Sequence, residues 1–132
     1  MKKLHTLLLL GAVALTACQN KPTSPGENVK AITIKYTELG RKTLFKITCD
    51  NFETNFPKPL VMNVMSKPAM DSLMAVLSDM KRMDDEEPDV RAKIFITNKD
   101  NKTDTVCVGI TTLKYQHSTY ETPQKLLMMI QQ

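Results

Sequence analysis

Three kinds of side chain in this 132-residue chain could carry chemistry: cysteine thiols, a histidine imidazole and methionine thioethers. Cys49 or Cys107 with His117 would make a nucleophile and its base, provided the fold brought them together. No spacing in the chain supplies an oxyanion donor or a third orienting group, so two strand thiols and a surface imidazole are the plainer expectation. Zinc would need more histidine ligands than His117, because His5 lies in the N-terminal apolar segment, and no C-x-x-C pair offers sulfur. Four glycines cannot build a phosphate-cradling loop. No cofactor is implied, and the chain reads as a non-enzyme.

Methionine is the unusual component, at nine residues. Met62 with Met65 and Met80 with Met83 have the M-x-x-M spacing that suits a soft Cu(I) ion. Most of the methionines also fall on apolar stripes, where flexible thioethers fill irregular space, so core packing is the expectation and copper the alternative. The acidic run Asp84 to Glu87, with Asp89, lacks the alternating spacing and turn glycine of a calcium loop and reads as a solvated connector.

The third cysteine, Cys18, has a different setting. Lys2 and Lys3 precede an apolar run from Leu4 to Ala17 that is too short to span a bilayer, which is the pattern of a cleaved export signal. Leu15-Thr16-Ala17-Cys18 resembles the lipobox of bacterial lipoproteins. That resemblance implies diacylglyceryl attachment to the Cys18 sulfur, removal of residues 1–17 and a membrane partner reached through the lipid. Each buried acyl CH₂ contributes about 0.8 kcal/mol, so two or three chains hold a small domain without a spanning helix. Gln19, where an Asp would be associated with inner-membrane retention, implies the outer membrane. The lack of acidic residues before Glu27 implies the periplasmic face rather than the cell surface.

Residues 18–29 comprise the lipidated cysteine and a polar stretch rich in Pro, Gly and Ser, which reads as a flexible tether. Residues 30–132 then form one domain, of the usual size for a single core. The formal net charge of +4 falls further with the leader's lysines, and there is no Trp, so the concentrated basic and aromatic footprint of a nucleic-acid binder is absent.

Alternation predicts the elements of that domain. Ile32, Ile34 and Tyr36 share one face of a strand, and Phe45, Ile47 and Cys49 share one face of a second, joined through Gly40 as a hairpin. Leu60 to Met65 offers a third short strand. Met70, Leu73, Met74, Leu77 and Met80 predict a helix from Pro68 to about Met83, capped by Ser66. Ala92, Ile94 and Ile96 begin a second hairpin whose return, Thr103 to Leu113, includes Gly109 as a bulge or close approach. Lys114 to Tyr120 reads as an extended return. Thr122 and Pro123 then open a terminal helix with Leu126, Leu127 and Ile130 inside. The order ββ(β)αββα implies an α+β fold, an antiparallel sheet of four to five strands with two helices packed on one face.

Parity decides the expected state of the domain's cysteines. With Phe45 and Ile47 inward, Cys49 is inward too, whereas inward Val106 and Val108 turn Cys107 outward. Two reduced thiols are therefore expected, with a Cys49–Cys107 disulfide as the alternative; a bulge at Gly109 would reverse the argument. Asp50 to Pro59 reads as a proline-stiffened loop, and Phe52, Phe56, Pro57 and Pro59 are its candidate partner contacts. The expected role is a lipid-anchored, non-catalytic binding module of the bacterial cell envelope with a protein partner. Its alternatives are an inhibitor of a secreted or periplasmic protease and a methionine-based Cu(I) binder.

Overall fold

A computed structural model of the chain describes residues 23–131. It holds one antiparallel sheet of six strands and three helices, an α+β fold. In chain order these are β1 (Val29–Tyr36), α1 (Phe52–Asn55), β2 (Leu60–Val64), α2 (Lys67–Ser78), β3 (Val90–Asn98), β4 (Thr103–Gly109), β5 (Thr112–Tyr115), β6 (Ser118–Glu121) and α3 (Gln124–Ile130). The sheet order is β2-β1-β3-β4-β5-β6, so β3 and β4 are central and β2 and β6 lie at the two edges.

Strand alternation places the core. Ile32 and Ile34 of β1 meet Ile96 and Ile94 of β3, and Ile94 meets Val106 of β4, so one face of the sheet is aliphatic across three strands. Leu73 and Leu77 of α2 and Leu126, Leu127 and Ile130 of α3 close over that face in one buried cluster. Every core residue described lies between Val29 and Ile130, so a chain beginning at Gln19 keeps the whole of that core.

The predicted first hairpin does not form. Residues 44–49 make no strand, and β1 pairs instead with β2 and β3, with Met62 and Val64 opposite Ile34 and Ile32. Burial explains the choice: β2 adds two apolar side chains to the helix-covered face, whereas Leu44 and Phe45 stay in water. Gly40 takes no positive φ.

Two further boundaries move. Ser66 caps α2 by accepting from the Ala69 N–H at 3.3 Å, and Pro68 sits in the first turn as expected. The helix nevertheless ends at Ser78 rather than Met83, because the chain beyond it pairs with β6: Glu121 N–H donates to Lys81 O and Met83 N–H to Thr119 O, each at 2.9 Å. Tertiary pairing thus overrides the helical period at Met80 and Met83. At the start of α3, Thr122 does not cap the helix; its hydroxyl donates to Gly109 O at 2.9 Å.

Gly109 is the predicted close approach. A Cβ there would lie 2.8 Å from Thr112 O and 2.9 Å from Asp89 O. Opposite it, Val90 pairs with Gly109 and Ala92 with Val108, which leaves Arg91 as the extra residue of a bulge in β3.

The segment expected to run on as an extended return is a β5–β6 hairpin. Gln116 and His117 form its two-residue turn, with φ of 49° and 65°. A turn with positive φ at both positions favours Asn-Gly, so Gln-His carries strain and gives no sequence signal. Replacing Gln116→Asn with His117→Gly should stabilise the domain by about 1 kcal/mol, read as a rise in Tm of roughly 5 °C.

Candidate functional site: the stapled loop over the second face

The face of the sheet turned away from α2 and α3 carries Thr33, Lys35, Lys93, Phe95, Thr105 and Cys107, by the same alternation that points their neighbours into the core. Lys35 and Lys93 stand 5.3 and 5.7 Å from the centroid of the Phe95 ring. The loop 37–59 crosses part of this face and builds a second small core there, of Ile47, Phe52, Phe56, Val90 and Cys107.

Parity describes Cys107, which turns away from Val106 and Val108. It fails for Cys49, which arrives on the loop and not on a strand, so no pleat governs its direction. The two sulfurs form a disulfide with a Cα–Cα distance of 5.6 Å, and the expectation of two reduced thiols is corrected. With both sulfurs in the bridge, neither is a free nucleophile for His117. That imidazole is exposed on the β5–β6 turn, beside a shallow cleft of about 420 Å³ that also touches Cys49, Lys114 and Asp85.

Arg91 is the second fastener, and sequence reasoning missed it. Its side chain, only 6% exposed, makes a two-pronged contact with the Asp89 carboxylate at 2.7 and 3.0 Å. It also donates to Arg41 O at 2.9 Å and to the Thr43 hydroxyl at 3.1 Å, so one guanidinium ties the loop to β3. Asp89 completes the tie by accepting the Ile47 N–H at 2.8 Å. The sequence carried no signal for it, because Val90, Ala92, Ile94 and Ile96 read as unbroken alternation with Arg91 on the opposite side, and only the bulge turns Val90 into the second core.

Burial would raise the Asp89 carboxyl pKa, but the Arg91 hydrogen bonds and the Ile47 N–H outweigh it and hold the group below the usual carboxylate range. Glu53 behaves alike: desolvation is opposed by Lys93, whose ammonium lies 2.9 Å away and also donates to Cys49 O. A depressed carboxylate contributes stability above its unfolded pKa and loses it as pH falls through the folded one. The urea midpoint should therefore drop below about pH 4, and Asp89→Asn should flatten part of that drop. Both carboxylates are nearly half exposed, so the effect is modest.

The candidate contact residues separate into two pairs. Phe52 and Phe56 are buried, their rings edge to face at 5.3 Å, and they anchor the loop from beneath instead of meeting a partner. Pro57 and Pro59 reach the surface side, on a cleft of about 430 Å³ shared with Tyr36, Arg41, Lys58 and Leu60. Arg41 stands over the Phe56 ring, 5.5 Å from its centroid. Leu60 lines this cleft and Val61 follows it on the edge strand β2, each more than half exposed.

No family model matches this chain, and comparison with curated proteins and with solved structures found no match.

The two methionine pairs are not brought together. Met62 and Met65 border a groove between β2 and α2, whereas Met83 bonds to β6 at the opposite edge of the sheet. Five strand spacings of about 4.8 Å separate those edges, so the four thioethers cannot share one ion. Met62 and Met80 pack against the main core. Among the described residues no three His, Cys, Asp or Glu side chains gather as a metal-binding group.

Cys18 lies outside the described residues. The polar stretch behind it is not all tether: Gly26 N–H donates to Asp71 of α2 at 3.0 Å and Lys67 reaches Ser24, so residues 24–28 are docked against the domain. The acidic connector is also tied down, through Glu87 and Asp85 to Lys114.

Proposed function

We propose that this chain is a lipid-anchored, non-catalytic binding module of the bacterial cell envelope, held by Cys18 at the outer membrane, and that it meets a protein partner along the rim of the stapled loop and the neighbouring edge strand. The observation that supports this most is a rigid rim with apolar groups left in water. Pro57, Pro59 and Leu60 line one cleft and Val61, next along β2, is exposed as well, while the disulfide, Arg91 and the Phe52–Phe56 pair fasten the loop that leads to them. Such preorganisation lowers the ordering cost of association. The outer strand of a sheet adds unpaired main-chain groups that an extended segment can use.

The test is affinity capture from envelope extract with the acyl-free chain beginning at Gln19, compared with Leu60→Lys and Val61→Lys combined. Both side chains are exposed, so the variant keeps its fold. A protein retained in stoichiometric amount by the wild type and lost by the variant is the expected result. Equal retention by both chains would refute the assigned surface. Mass spectrometry of the mature amino terminus tests the anchor separately, with an unmodified Cys18 counting against it.

A further inference from the structure

The geometry points to a membrane-contacting tip at Leu44 and Phe45, whose occupant is an anionic lipid surface. This goes beyond the protein-binding role above and uses a different part of the loop. Leu44 is 102% exposed and Phe45 56% exposed, so the apex presents two adjacent large apolar side chains to water. Scattered single apolar residues on a surface are ordinary, but a paired aliphatic and aromatic group at a protrusion is not.

The tip is also held in shape. Arg91 bonds to Arg41 O and the Thr43 hydroxyl, Thr43 donates to Phe45 O at 2.7 Å, and the Ile47 N–H is fixed on Asp89. The backbone on both sides of the apex is therefore fastened to β3, and the two side chains cannot fold back into the domain's own cores without breaking those bonds.

Charge selects the occupant. Lys42 precedes the apolar pair and Lys46 follows it, both exposed, with Lys46 donating to Glu87 O at 3.0 Å; Arg41 is exposed too, its guanidinium over Phe56, and the sequence has no carboxylate from Leu39 to Cys49. Cations flanking an apolar apex match a bilayer in depth: the apolar groups enter the acyl boundary while the long basic side chains stay at the phosphates. Basic residues beside a membrane favour anionic over neutral lipid. A groove on a protein would need complementary acids at two matched positions, whereas an anionic bilayer presents phosphate on every side.

The experiment uses the acyl-free chain beginning at Gln19, so that the Cys18 lipid contributes nothing, with phosphatidylcholine vesicles that contain or lack phosphatidylglycerol. The chain has no Trp, so Phe45→Trp places a lone indole reporter at the apex. The expected result is co-sedimentation with the anionic vesicles only, a blue shift of the indole emission on mixing, and weakening by salt. Leu44→Ser with Phe45→Ser should reduce the vesicle affinity about tenfold or more with Tm unchanged, since both side chains are already in water. The Leu60→Lys, Val61→Lys variant should bind vesicles as well as wild type, which separates this surface from the protein-binding rim. Absence of sedimentation with anionic vesicles, or a serine variant that binds as the wild type does, overturns the proposal. A tip that binds an envelope protein but no vesicle overturns it too and makes that protein the occupant.

Discussion

Replacing Cys49 and Cys107 together by serine should lower the stability by about 4 kcal/mol and the Tm by roughly 15 °C, measured by urea and thermal unfolding. The magnitude follows from the length of chain the bridge closes. The cysteines are 58 residues apart, and a cross-link over that span removes much of the unfolded chain's freedom. The loss also has a direction. The helix-covered core contains neither sulfur, so α2, α3 and the aliphatic face of the sheet should persist when the bridge is removed. The loop 37–59 should become the first segment to exchange amide hydrogens. Equal protection of the loop in the serine variant and the wild type would show that Arg91 and the Phe52–Phe56 pair alone suffice to hold it.

Phe52→Ala should cost about 3–4 kcal/mol, because the ring is fully buried and the small core around it has little material with which to refill the space. This result distinguishes two roles for one residue. A partner contact would leave unfolding untouched and weaken binding, whereas a buried anchor shifts the urea midpoint first and affects binding only through the loop it supports. A midpoint within error of the wild type would return Phe52 to the surface role that its position between Asn51 and Pro57 suggests.

The helix-covered half of the molecule was legible because period-two and period-four patterns each had a single buried face to describe. Ile32, Ile34, Ile94, Ile96, Leu126, Leu127 and Ile130 all fall where their spacing puts them. The stapled half was not legible, for a physical reason. A loop that packs on the second face of a sheet has no period, so Phe52 and Phe56 look like solvent-facing contacts until the sheet beneath them is known. Leu44 and Phe45 show the converse: they continue a strand-like alternation, yet lie at the exposed apex because better cross-strand partners for β1 come later in the chain. Arg91 was hidden by its bulge, which places three consecutive residues, Val90, Arg91 and Ala92, in buried surroundings.

If Cys18 carries the proposed lipid, the docking of Gly26 on Asp71 limits how far the domain can stray from the membrane. Five residues separate Cys18 from Ser24, a leash of about 20 Å even when pulled straight. The leash joins at the end of β1 where Val29 begins, while the loop that carries Leu44 is fastened near the other end, where Thr37 N–H meets Arg91 O and Arg91 bonds to Arg41 and Thr43. Those ends are roughly 27 Å apart along an eight-residue strand. If Cys18 is acylated and Leu44 is inserted, a leash of about 20 Å against about 27 Å of strand lets both reach one bilayer only when the strands are tilted well away from its normal. In that tilted posture the domain would stand close to the bilayer, and a protein bound at the proposed rim would have to approach the membrane to reach it.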